Sequence, residues 1–154
     1  MPQWVQMLNA LSVPVIALLA ATIGFAQWRT AQQRAVLDVF DKRWEVYTRL
    51  REVVSEVVSQ GSVRNETSTN FIRAADGAHF LFGKSVIDYI DKIYAAMLEH
   101  HVAESQMESP ASPDARQTAI ENKYRHFKVI CDFYSEFPKL AGPYLQMHQR
   151  VPPF

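Results

Sequence analysis

Glu99-His100-His101-Val102-Ala103-Glu104 is the densest run of side chains able to hold a metal or move a proton. On a helix, His100 and Glu104 lie four residues apart on one face and could supply one nitrogen and one oxygen ligand. A complete site needs two further ligands, for which His79 and His126 are the plausible donors. The plainer reading is an exposed helix end, where histidine also favours the C-terminal dipole. Cys131 is the single cysteine. One thiol excludes an intramolecular disulfide and any cysteine-cluster zinc site. Its five-residue separation from His126 is wrong for one helical face, so a buried inert thiol is expected rather than a Cys–His nucleophile.

Other reactive patterns are missing. There is no phosphate-binding glycine loop, dinucleotide fingerprint, nucleophile elbow or H-E-x-x-H helix, and the five glycines are scattered singly. Asp88 and Asp91 fall on a polar helix surface, which does not define a catalytic carboxylate pair. The sequence therefore assigns no catalytic residue, no metal and no cofactor, and no small-molecule substrate is evident.

The chain has 154 residues with 16 Lys+Arg and 16 Asp+Glu, for a formal net charge of zero. A pI near 7.0 argues against a nucleic-acid binder with a basic stripe. The zero is unevenly spread. Every charged side chain lies between Arg29 and Arg150, and the first 28 positions carry none.

That leader, Trp4 to Trp28, sets location. Leu8 to Ala26 is long enough, at about 1.5 Å per residue, to cross roughly 30 Å of hydrocarbon as a helix. Trp4 and Trp28 are spaced to reach the two headgroup layers as aromatic anchors. Pro14 lies inside the span, where membrane helices tolerate a kink. A cleaved signal peptide competes, with Gly24-Phe25-Ala26 as its cleavage site, but no Lys or Arg precedes the apolar run. Arg29, Arg34, Lys42, Arg43, Arg49 and Arg51 follow, against Asp38, Asp41 and Glu45. This excess predicts a cytoplasmic C-terminal side and an outside N-terminus, in a cell inner membrane crossed once. A free Cys131 fits a reducing compartment. The expected division is a transmembrane anchor over 1–28 and a cytoplasmic helical domain over 29–154.

The elements beyond Arg29 read as helices. From Arg29 to Ser59 there is no Gly or Pro, and Val36, Phe40, Tyr47, Leu50, Val54 and Val57 or Val58 make one amphipathic stripe. This helix is expected to continue from the membrane span and to end at Gly61. A second helix is expected over about Thr69–Phe82, capped by Ser68 or Thr69 and by Gly83. A third opens at Ser85, with Asp88 resembling a capping box, and buries Val86, Tyr89, Ile90, Ile93, Met97 and Leu98 to about Val102. Glu104–Asp114 reads as a loop. A fourth helix follows over Ala115–Glu136, with Ile120, Tyr124, Phe127, Ile130 or Cys131, and Tyr134 on one side. Pro138, Gly142 and Pro143 predict a short helical turn and extended chain thereafter. Phe71, Phe80, Phe82, Phe127, Phe133, Tyr134 and Phe137 are expected to fill the core or, as the alternative, to form a hydrophobic groove or dimer face. The fold class is all-α: an N-terminal transmembrane helix continuing into a small antiparallel bundle.

Leu37-Asp38-Val39-Phe40-Asp41-Lys42-Arg43-Trp44-Glu45-Val46-Tyr47 resembles a group of small bacterial membrane-anchored proteins. They carry an N-terminal membrane helix, an L-x-x-F-D-K-R-x-x-x-Y helix and a Phe-Leu-Phe-Gly-like segment, here Phe80 to Gly83. The resemblance covers the chain to about Ile93. It implies a membrane-anchored helical domain and brings no activity or site residues. Phe40, Arg43 and Tyr47 share one face, and Asp38 and Lys42 form an i,i+4 pair. Two readings stand: a solvated charge lattice around a core stripe, or an interaction patch of Phe40, Asp41, Arg43 and Tyr47.

The function these features imply is non-enzymatic: a membrane-anchored cytoplasmic protein acting through contacts with a protein partner or its own copies. The bilayer is engaged by residues 4–28, and nucleic acid is not a partner. The alternative is a small membrane-active or toxin/immunity-type factor whose transmembrane segment is the functional part.

Overall fold

A computed structural model describes residues 3–110 and 112–146, except for the side chains of residues 3–15, Gln33 and Ala35. The described residues are helical, with no strand among them. The helices are α1 (Gln3–Gln60), α2 (Asn65–Ala75), α3 (Ala78–Leu81), α4 (Lys84–Glu108), α5 (Pro113–Cys131) and α6 (Phe133–Leu145). The chain divides into two compact units, Met1–Val39 and Phe40–Phe154, and α1 supplies residues to both.

Within the second unit, Val46, Leu50, Val54 and Val57 turn one stripe of α1 into the core. Gly61 ends α1 as expected. Its positive φ of 66° reverses the chain while its N–H donates to the Val57 carbonyl at 2.9 Å. The core continues through Phe71 and Ala74 of α2, Val86, Ile90, Ile93 and Met97 of α4, Ile130 of α5, and Phe133, Phe137 and Ala141 of α6. Helices α4 and α5 are antiparallel neighbours: His100 meets Phe127, and four residues on Glu104 meets Lys123, four residues back.

Several boundaries differ from the sequence expectation, each for a local reason. The second helix starts at Asn65, with Arg64 and not Ser68 or Thr69 at its N-cap. It breaks at Asp76-Gly77, where Gly77 adopts φ 78°, and α3 resumes at Ala78. Asp-Gly is a turn dipeptide, and here its chemistry outweighs the apolar pattern running through it. Gly83 is the N-cap of α4 rather than a C-cap, and Asp88 forms no capping box. Instead Asp88 pairs with Lys84 at 2.7 Å, one turn back.

Helix α4 runs to Glu108, well past Val102. The expected loop over Glu104–Asp114 shrinks accordingly. The Ser112 side chain accepts the Ala115 N–H at 3.1 Å, with Pro113 opening α5, a pairing of cap and first-turn proline. At the other end, α5 stops at Cys131 and α6 follows after Asp132, with Pro138 and Pro143 inside it. Each interior proline costs a helix about 3 kcal/mol. Burial of Phe133, Phe137 and Ala141 on one face of α6 offsets that cost.

Five residues expected on buried stripes are exposed: Val36, Leu98, Ile120, Tyr124 and Tyr134. Phe80, expected in the core, is 93% exposed, because α3 is a single turn that can turn only Ala78 fully inward.

Among the described residues no helix is long and apolar enough to cross a membrane. The span expected from Leu8 to Ala26 is thus unsupported there, its residues 8–15 and Trp4 having side chains outside the described ones.

Candidate functional site

The two segments that carry the resemblance meet through Arg43. From α1, its Nε donates to the Leu81 carbonyl at 2.8 Å and its Nη1 to the Tyr144 carbonyl at 3.1 Å. Those carbonyls lie at the C-terminal ends of α3 and α6, where helices leave C=O groups unpaired and the dipole favours a cation. The guanidinium also stands 5.5 Å over the Tyr144 ring. Phe82 meets the same ring edge-on at 5.6 Å. Gly83 completes the junction: a Cβ there would lie 2.2 Å from the Tyr144 hydroxyl oxygen. The Phe-Leu-Phe-Gly segment thus supplies an acceptor carbonyl, a buried ring and a gap.

The other members of the sequence patch divide. Tyr47 is half-buried and stacks on Phe137 at 5.6 Å, and Trp44 stacks on Tyr47 at 5.3 Å. Phe40 stacks on Trp44 at 6.5 Å and is half-buried. Asp41 is exposed. Arg49 pairs with Glu45 rather than crossing to another helix. Trp28, the second expected membrane anchor, is 46% exposed and lies 5.9 Å from Phe25.

The metal-like run at Glu99–Glu104 is placed differently from expectation. His100 is fully buried, not at an exposed helix end. It follows Ile90, Ile93 and Met97 at steps of three, four and three, so it prolongs the buried stripe of α4. That spacing is the signal by which its burial could have been found. Both ring nitrogens of His100 lack a hydrogen-bond partner among the described residues. The Phe127 ring lies 5.7 Å away, tilted by 41°. One turn on, Glu104 takes the Lys123 ammonium at 2.7 Å, with both side chains about one-quarter exposed.

Beside this pair lies an open cavity of about 230 Å³, lined by Gly61, His100, Met107, Ile120, Lys123, Tyr124 and Phe127. Met107 as part of a cavity is not legible in the sequence, because the expected helix ends at about Val102, short of it. Among the described residues no group of three or more His, Cys, Asp or Glu is placed to hold a metal ion. His79, one proposed ligand, is exposed on α3.

Electrostatics fix the imidazole's state. Burial first, and then the Lys123 charge, push the His100 pKa below its ordinary value, with Glu104 opposing and His126 and His101 adding to the shift. The folded protein therefore holds a neutral imidazole at pH 7. The unfolded chain takes up a proton near its ordinary value of about 6.5, above the folded pKa. Stability is thus fully present above the unfolded value and falls as pH drops toward the folded one. We expect the melting temperature to fall between roughly pH 7.5 and pH 5.5, and the fall to flatten in His100→Phe. Glu136, held low by its hydrogen bond and charge contact with Lys139, acts only at more acid pH, below its ordinary 4.5.

Two further groups are held in their protonated forms at neutral pH. Burial, then Asp132 and Glu136, raise the Tyr89 phenol to about 12. Burial and Asp132 likewise raise the half-buried Cys131 thiol, which weakens it as a nucleophile. A comparison of the chain with protein-family models, curated proteins and solved structures finds no match.

Proposed function

We propose that the chain is a single-pass, membrane-tethered helical module that works through protein–protein contacts and catalyses no reaction. One observation carries the reading. In the charge-free part of α1, Ile16, Leu18, Leu19, Ile23 and Phe25 are each more than half exposed. Proteins that stay in water as monomers rarely display so dense an apolar patch, and a bilayer is the cover that such a helix fits. Trp28 then lies at the headgroup layer, and the basic excess after Arg29 keeps the bundle on the cytoplasmic side. With Arg43 and Tyr47 turned to internal partners, Asp41 and the outer faces of Phe40 and Trp44 are the groups left for a partner helix.

The test is membrane fractionation of the full chain expressed in bacteria, with reporters fused after Phe154. We expect resistance to alkaline carbonate extraction, a fluorescent cytoplasmic reporter and a silent alkaline phosphatase. Extraction by carbonate, or an active phosphatase, overturns the topology. A photo-crosslinker at Trp44 tests the contact, and absence of any adduct in membranes overturns that part.

A further inference from the structure

We infer that the cavity between α4 and α5 is a binding site for a neutral bicyclic aromatic molecule bearing one ring N–H or hydroxyl, of the indole or naphthol class. Three observations point to this class, and none depends on the membrane tether.

The first is shape and lining. Met107, Ile120, Tyr124 and Phe127 give the cavity apolar walls at about 230 Å³. A cavity of about 150 Å³ is filled by benzene, so this one takes roughly nine to ten ring atoms in proportion. The second is charge. Lys123 is the one cation in the wall among the described residues, and Glu104 already neutralises it at 2.7 Å. A carboxylate ligand would have to break that pair, whereas a neutral one leaves it intact.

The third is the orphaned imidazole. His100 forms part of the wall, is fully buried, and has no partner on either nitrogen among the described residues. A neutral imidazole has one acceptor nitrogen, and a buried polar group left unpaired is a standing penalty. A ligand N–H or O–H that reaches that nitrogen removes the penalty. The half-buried Phe127 ring, 5.7 Å from the imidazole in the same wall, offers an aromatic face for the ligand to stack on.

The experiment uses the full chain in detergent micelles, titrated with indole, 1-methylindole and indole-3-carboxylate and followed by imidazole nitrogen NMR. Indole is expected to bind saturably and shift the His100 resonances. 1-Methylindole, which keeps the shape and loses the donor, is expected to bind roughly tenfold more weakly, and the carboxylate more weakly still. Ile120→Trp, at a half-exposed wall position, is expected to fill the cavity and abolish the response while the bundle stays folded. Partition into detergent is the same for wild type and variant, so it cannot mimic this pattern. Equal binding of indole and 1-methylindole, unmoved His100 resonances, or an unaltered response in Ile120→Trp would each overturn the inference.

Discussion

Phe137→Ala is expected to remove about 4 kcal/mol of folding stability, the largest effect of any single truncation in the bundle. Phe137 is fully buried, and its ring stacks on Phe133 at 4.6 Å, Tyr47 at 5.6 Å and Tyr89 at 6.2 Å. Those partners come from α6, α1 and α4, so one side chain joins three helices. Loss of a buried Phe leaves a void that its neighbours fill only in part, and each lost ring pair adds a further fraction of a kilocalorie or more. Helix α6 has little to spare, since Pro138 and Pro143 already weaken its backbone. Urea denaturation followed by circular dichroism checks this, through a lower midpoint at unchanged slope. Phe80→Ala is the control: at 93% exposure it should leave the midpoint where it was. A loss under about 2 kcal/mol in Phe137→Ala would mean that α6 is not docked by this ring.

Arg43→Ala comes second, at about 3 kcal/mol. The guanidinium makes two charge-assisted bonds, to Leu81 and Tyr144 carbonyls, and hydrogen bonds to charged groups contribute about 1.5–3 kcal/mol each. Hydration of the freed carbonyls returns part of that sum. Arg43→Lys is the informative partner. It keeps the charge and loses the planar fork, so it can serve one helix end at a time. We expect it to recover about half of the loss in the same denaturation experiment. Full recovery would show that charge alone suffices and that the two-ended geometry contributes nothing.

What the sequence made legible was the helical class and the inward stripes. Leu50, Val54 and Val57 recur at helical spacing because one face of α1 must be dry, and that is visible without coordinates. The break at Asp76-Gly77 was hidden by an apolar pattern that runs straight across it. Helix α6 was hidden by its prolines, whose local cost is outweighed by ring contacts from residues 47 and 89, too distant in the chain for periodicity to register. Phe80 and Phe137 look alike in sequence, and only the single-turn length of α3 separates them. The burial of His100 is hidden for a different reason. Its neighbours Glu99, His101 and Glu104 suggested a polar helix end, while its register with Ile93 and Met97 pointed inward. The cavity needed Met107 on α4 and Phe127 on α5 in one place, which is a tertiary fact.

The Arg43 junction also has a consequence in time. It links position 43 to positions 81 and 144, separations of 38 and 101 residues. Contacts that close such long loops lose chain entropy before they return any interaction energy, so we expect them to form late in folding. A residue whose bonds are absent from the transition state changes the unfolding rate and leaves the refolding rate alone. Nearly the whole loss in Arg43→Ala should therefore fall on unfolding, accelerating it roughly 150-fold. Arg43 is expected to govern how long the folded bundle persists, far more than how fast it forms.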